Sequence, residues 1–281
     1  MQKFLCLLAT ICFLCWGTNV QAQLKVVASI FPMAEFCRTV GGDLVQVKQM
    51  VPDGTEPHDY EPSPKDLAEI NQAQILVYNG LIETWVQSVL QTSPNLYSVE
   101  AGKSLFLIDG KTDPHVWISP KLAMQQVTKI SKAFIKADPA HKQEYTANTQ
   151  KYLADLAQLD KEFAQLQHLS NRHFFATNHS AFAHLAKDYN LTMLAVMGLS
   201  PEAEPTPGDL QKVIQTIQKN NLRYIFFETL ASPKLAELVA QETGAQAAVL
   251  DPIEGVTAER KASYLDLQKQ NLAALQKEFA Q

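Results

Sequence analysis

The sequence predicts an α/β protein made of two Rossmann-like α/β lobes with parallel sheets, joined by one long backbone helix. Three observations predict it. From Leu24 onward, short apolar runs alternate with longer stretches of helical period, the mark of βαβ units whose strands are buried on both faces. In mid-chain a single apolar stripe runs on for longer than a crossover helix requires. Beyond that stripe the alternation begins again, so the layout occurs twice along the 281 residues.

The first segment is not part of the fold. Lys3, an apolar run from Phe4 to Trp16, and small or polar residues ending in Val20-Gln21-Ala22 read as a secretory signal peptide over residues 1–22, with the mature chain beginning at Gln23. Leu14, before Cys15, is bulkier than a lipid-attachment site normally accepts, so a free periplasmic protein is expected rather than a lipid-anchored one. Without the leader, Cys37 is the only cysteine, which excludes an intramolecular disulfide and leaves stability to the core. A formal net charge of −5 argues against nucleic acid or an anionic membrane as partner. No later apolar run is long enough to span a bilayer.

In the N-terminal lobe, residues 23–137, strands are expected at Leu24 to Ile30, Leu44 to Val51, Ile75 to Tyr78 and Leu105 to Ile108. Helices are expected at Phe31 to Val40, Ser63 to Gln72, Glu83 to Leu90 and Pro120 to Lys136. Asp138-Pro139 then starts the linking helix, residues 138–169, with an N-cap and a first-turn proline. Its apolar positions Tyr145, Tyr152, Leu156, Leu159, Phe163 and Leu166 make one stripe that predicts a rigid spine lying against two lobes. In the C-terminal lobe, residues 170–281, strands are expected at His173 to Thr177, Leu191 to Val196, Tyr224 to Phe227 and Ala247 to Leu250. The helices of that half fall at Ser180 to Tyr189, Pro207 to Asn220, Pro233 to Thr243 and Ala258 to Phe279.

Open parallel sheets bind ligands at the carboxyl ends of their strands, so the polar residues that follow the expected strands are the candidates for chemistry. They are His58 in Pro57-His58-Asp59-Tyr60-Glu61-Pro62, His115 in Asp113-Pro114-His115, His179 in Asn178-His179-Ser180, and Asp251 with Glu254 after the last strand. Three imidazoles and a carboxylate suit Zn²⁺, and three of the chain's seven histidines on corresponding strand ends are hard to ascribe to packing alone. His115 sits in a turn stiffened by Pro114, ahead of a Ser119-Pro120 helix start, and Asp113 is placed to fix its tautomer. His141 and His168, on the linking helix, read as solvated, and His173 and His184 as packing or surface residues. Glu228, ending an apolar strand, reads as a paired buried carboxylate or a group behind a ligand. Trp117 and Phe182 read as apolar packing that keeps solvent from the site, and Glu202 and Glu204 as members of a solvated loop.

Taken together, Pro57-His58-Asp59-Tyr60-Glu61-Pro62-Ser63-Pro64, Asp113-Pro114-His115-Val116-Trp117-Ile118-Ser119-Pro120, Asn178-His179-Ser180-Ala181-Phe182, Phe226-Phe227-Glu228 and Leu250-Asp251-Pro252-Ile253-Glu254-Gly255 resemble the metal-specific solute-binding proteins of bacterial ABC importers. Within that family the chain is most similar to the zinc branch, the ZnuA/AdcA-like proteins, over essentially the whole mature sequence. The resemblance implies one metal held between the lobes, by His58 and His115 from the first and His179 with an acidic residue from the second. Residues alone leave Asp251 and Glu254 open as the fourth ligand; the resemblance favours Glu254. Manganese-binding members commonly carry Glu where this chain has His179. Many zinc members also carry a His-rich loop between the first two ligands, and Tyr97 to Lys111 contains no histidine.

The implied function is high-affinity periplasmic capture of Zn²⁺ and delivery to a cognate ABC permease at the inner membrane, by a monomer that is not an enzyme. Two rivals accompany it. One keeps the fold and changes the cargo to manganese or iron, or adds a role as an adhesin. The other is a zinc-dependent hydrolase with Glu254 as general base, although the sequence holds no HExxH motif.

Overall fold

The computed structural model describes residues 22–169, 173–199, 206–230, 233–257 and 262–280. Nearly all of the leader, the loop holding Glu202 and Glu204, and the start of the last helix as read at Ala258 lie outside the described residues.

The first half is built around β1 (Leu24–Ala28), whose Val26, Val27 and Ala28 are buried. α1 (Phe31–Gly41) follows directly, with Pro32 in its first turn, where no amide hydrogen is needed. Then come β2 (Val45–Gln49), α2 (Pro64–Gln72), β3 (Ile75–Tyr78), α3 (Val86–Thr92) and β4 (Tyr97–Glu100). α2 starts on a capping box in which Ser63 and Asp66 exchange hydrogen bonds with each other's backbone amides. The sheet order is β2-β1-β3-β4, every pair parallel, with Val26 opposite both Val47 and Ile75.

The fourth strand departs from expectation. Tyr97–Glu100 takes the place expected of Leu105 to Ile108, and β5 (Leu107–Ile108) instead pairs antiparallel with β6 (Lys111–Thr112) in a separate two-stranded hairpin. The reason is local. Asp109 and Gly110 both take positive φ, 49° and 79°, the backbone of a two-residue Asp-Gly hairpin turn, which reverses the chain before a parallel strand could form.

α4 (Pro120–Ala137) is capped by Ser119 with proline at its first position. A 3-10 turn, Pro139–His141, leads into α5 (Lys142–Ala164), and a second, Gln165–His168, ends it, so the linking helix is α-helical for 23 residues, about 34 Å at 1.5 Å per residue. All six residues of the anticipated stripe, Tyr145 to Leu166, are buried. α5 packs on α1 and α4, and also on the chain's last helix, α9 (Tyr264–Phe279).

The second half gives β7 (Phe174–Thr177), α6 (Ala183–Asp188), β8 (Thr192–Ala195), α7 (Pro207–Asn220), β9 (Tyr224–Phe227), α8 (Lys234–Thr243), β10 (Gln246–Val249) and α9 (Tyr264–Phe279). Its sheet runs β10-β9-β7-β8, again parallel throughout. α9 begins at Tyr264 because Ser263 and Asp266 form another capping box. The largest core cluster spans both halves and the spine: Phe36 of α1 packs against Tyr152 of α5 at 6.2 Å and Tyr264 of α9 at 4.9 Å between ring centroids. The loops at the strand carboxyl ends of the two sheets meet over this shared core.

Candidate metal centre

His58, His179 and Glu254 sit in such loops, whereas His115, expected after the fourth strand of the first sheet, follows the separate hairpin instead. His58 lies on a 3-10 turn, Pro57–Asp59, whose first amide is satisfied by Glu56: the His58 N–H donates to Glu56 Oε1 at 3.2 Å. His115 follows β6 after the Asp113-Pro114 turn, His179 follows β7, and Glu254 follows β10.

The structure brings these four together. His58 Nε2 lies 3.3 Å from His115 Nε2 and 3.3 Å from Glu254 Oε1. Glu254 Oε1 lies 3.2 Å from His115 Nε2 and 3.7 Å from His179 Nε2. All four donor atoms fall within 4.8 Å of one another. A tetrahedral ion with bonds of about 2.05 Å holds its ligand atoms about 3.3 Å apart, so the separations from His58 Nε2 to His115 Nε2 and from Glu254 Oε1 to the three imidazoles are close to the edges of a zinc-sized tetrahedron.

The outer contacts agree with that use. Asp113 Oδ1 accepts from both the backbone N–H and Nδ1–H of His115, each at 2.8 Å. Glu228 Oε1 lies 2.5 Å from His179 Nδ1 and accepts the His179 backbone N–H at 3.2 Å. With Asp113 bonded to Nδ1 of His115 and Glu228 against Nδ1 of His179, the Nε2 atom of each ring faces the cluster. His115, His179 and Glu254 are buried, and His179 Nε2 and Glu254 Oε2 have no hydrogen-bond partner. Buried orphans of that kind are rare and ask for a partner such as a cation.

The charges are mutually dependent. Burial alone would lower the pKa of His115, but its hydrogen bonds to Asp113 and Glu254 outweigh that and push it up to about 9. Burial would raise Glu254, yet hydrogen bonds from His115 and His58 hold it well below the usual carboxylate range. Glu56 is pushed up to about 7, first by burial and then by the charge of Glu254.

Glu254, not Asp251, turns into the cluster. Asp251 Oδ1 accepts the N–H of Ile253 at 2.7 Å and Oδ2 accepts from Thr229 Oγ1 at 3.2 Å, so this carboxylate shapes the loop. The Asp251 peptide is held at both ends by the Asn271 side chain, at 2.8 and 2.6 Å, and Trp117 Nε1 donates to the Pro252 carbonyl at 2.8 Å. Within this frame the buried Ile253 takes φ 56°, an uncommon conformation for a β-branched residue. Trp117 thus does more than pack; Phe182 is buried without a polar role.

The other histidines stay out of the cluster. His141 pairs with Asp138 at 2.6 Å rather than being fully solvated, His168 is exposed, and His173 is half-buried. His184 is buried. Sequence reasoning overlooked Asn79, which follows β3 directly and donates from Nδ2 to the Pro114 carbonyl at 2.9 Å. The strand-end rule that selected the donors would have selected it too.

Residues 26–278 match the family described as zinc-uptake complex component A, periplasmic, ZnuA. The chain belongs to the ZnuA family. This ZnuA-family chain is 37% identical over 276 residues to the high-affinity zinc uptake system protein ZnuA of Bacillus subtilis, covering 90% of itself and 86% of that protein. It is 35% identical to the zinc-binding lipoprotein AdcA of Streptococcus pneumoniae over 98% of its own length, and spans 60% of AdcA. The Zn(II)-bound ZnuA-like domain of that AdcA is similar in structure, with a TM-score of 0.82 and 37% identity over 92% of this chain and 100% of that one. The laminin-binding protein Lmb of Streptococcus agalactiae, described as a bifunctional protein with adhesin and metal transporting activity, gives a TM-score of 0.85 and 34% identity over 91% and 99% of the two chains.

Proposed function

We propose that this chain captures one Zn²⁺ between its lobes in the periplasm and delivers it to the permease of an ABC zinc importer. In this reading residues 23–137 and 170–281 are the two metal-binding lobes, residues 138–169 join them, and His58, His115, His179 and Glu254 hold the cargo. The observation that carries it is the convergence of four donor atoms within 4.8 Å of one another, two of them on imidazoles with a carboxylate against Nδ1.

Three imidazoles favour zinc over the harder manganese, and kinship with zinc-uptake proteins supports the same cargo. Four protein ligands fill a tetrahedral coordination sphere. A catalytic zinc keeps a position open for water and substrate, so the arrangement suits binding and carriage rather than hydrolysis. The leader-like pattern at residues 1–22, with Leu14 before Cys15, supports release as a free protein, in contrast to the lipoprotein AdcA.

The test is titration of metal-stripped mature protein with Zn²⁺, in parallel with His115→Ala and His179→Ala. The proposal expects one tight site in the parent chain, lost in both variants while the metal-free melting temperature changes little. Undiminished binding in both variants would refute it.

A further inference from the structure

His184 lies outside the four donors, on α6, and its side chain is buried. Its Nε2 is 3.1 Å from the backbone carbonyl oxygen of Asp113. A carbonyl only accepts, so Nε2 carries the proton and donates it. Asp113 in turn accepts from the Nδ1–H of His115 at 2.8 Å. Asp113 therefore links α6, in the second half of the chain, to a donor carried by the first half: its backbone carbonyl bonds His184 and its carboxylate bonds His115.

α6 grips that segment at further points. Lys187 Nζ donates to Asp109 Oδ1 at 2.8 Å, Lys121 Nζ donates to the Asp188 carbonyl at 2.9 Å, and the Ser119 hydroxyl bonds the Asp188 carboxylate. On the other side Asn79 Nδ2 donates to the Pro114 carbonyl, while Asn79 is itself held by Gln126 Nε2 at 2.8 Å and by its N–H on Glu83 Oε1 at 2.9 Å. The two peptide carbonyls preceding His115 are thus fixed one from each lobe. Pro114 stiffens the peptide between them, which leaves the plane of the Asp113 peptide as the element His184 sets.

We infer that His184 is a positioning residue for the metal: by donating to the Asp113 carbonyl it holds the Asp113 carboxylate on Nδ1 of His115, and so ties the aim of His115 to the helix that follows His179. The inference rests on the zinc-binding reading above. It gives the two most buried imidazoles a shared support, since α6 begins four residues after His179 and ends bonded to Ser119 and Lys121. A histidine that merely filled space would be replaceable by any apolar group of similar size. A positioning histidine is replaceable only by a group that also donates.

Two substitutions separate these roles. His184→Leu keeps apolar volume and removes the donor; His184→Gln keeps an amide N–H close to the position of Nε2. Zinc affinity is read by competition with a chelator of known affinity, site geometry by the visible d–d absorption of the Co²⁺-loaded protein, and fold by the melting temperature of the metal-free chain. Loss of an outer partner of a ligand typically costs 10–100-fold in metal affinity, so His184→Leu should weaken zinc binding by roughly that factor and alter the Co²⁺ spectrum. His184→Gln should recover most of the affinity and the parent spectrum. Parent-like affinity in both variants would overturn the inference, as would equal losses in both with an unchanged Co²⁺ spectrum. The parent chain keeps the two readings distinguishable: if it binds zinc and the variants match it, only the role of His184 falls, whereas a parent that takes no zinc overturns the function as well.

Discussion

His115 and His179 differ from His58 in how their direction is set. The first two are buried, each with a carboxylate against Nδ1, whereas the side chain of His58 is 14% exposed and, among the described residues, no carboxylate contacts its Nδ1. Two imidazoles are therefore aimed by the fold before any metal arrives, while the third is restrained through its backbone turn. The difference teaches that affinity in such a site comes from two sources, the donor atoms and the groups that spare them a search of orientation.

The broadest break in the comparison is removal of a pre-aimed donor. His115→Ala, His179→Ala or Glu254→Ala should each lower zinc affinity by more than the roughly 100-fold that losing an outer partner can cost, as measured by chelator competition. Loss of less than tenfold would mean the metal sits elsewhere. His58→Ala should cost less by about fivefold, because ordering a freer side chain on binding already takes about 0.5–1.5 kcal/mol from its contribution. Equal losses at His58 and His115 would erase the distinction between them.

Changing the aiming groups and keeping the donors sharpens it further. Asp113→Asn and Glu228→Gln should each reduce affinity about 10–100-fold, with Zn²⁺ still bound at one per chain. Neither change should reduce affinity if the carboxylates serve only to pair buried charge.

Proton competition gives a directional prediction. Hydrogen bonds to Asp113 and Glu254 push the pKa of His115 up to about 9 against the burial that would lower it, so its protonated form should stabilise the metal-free fold fully below about pH 6.5 and cease to do so as pH rises through about 9. Metal must displace that proton. Zinc affinity should therefore climb across this window while the melting temperature of the metal-free protein drifts down. An affinity that levels off at pH 7 would place the controlling proton on a group with an ordinary histidine pKa.

The smallest expected effect is Ile253→Gly. Relief of positive φ would stabilise by about 1–2 kcal/mol, whereas losing a fully buried isoleucine costs about 2–5 kcal/mol, so burial wins and thermal melting should show net destabilisation. A rise in melting temperature would show that backbone strain outweighs burial at this position.

Much of this was legible in the sequence. The six-residue stripe of the linking helix is a periodic signal and the strand-end positions of His58 and His179 are positional ones, readable without knowledge of tertiary contacts, whereas His115 follows the hairpin strand β6 and not a strand of the first sheet. Leu105 to Ile108 failed as a strand of the first sheet because an apolar run has no partner written into it, although Asp109-Gly110 marked the reversal. Asp251 and Glu254 could not be told apart, since the choice depends on Asn271 and Thr229, distant in sequence, claiming Asp251. His184 was hidden for the same reason: its partner is a backbone carbonyl 71 positions away.

The most direct test of the central claim is metal content after metal-stripped mature protein is exposed to equal Zn²⁺ and Mn²⁺ and then challenged with a chelator of known zinc affinity. The account predicts one retained zinc per chain and no manganese. Retention of manganese, or of no metal at all, would contradict it.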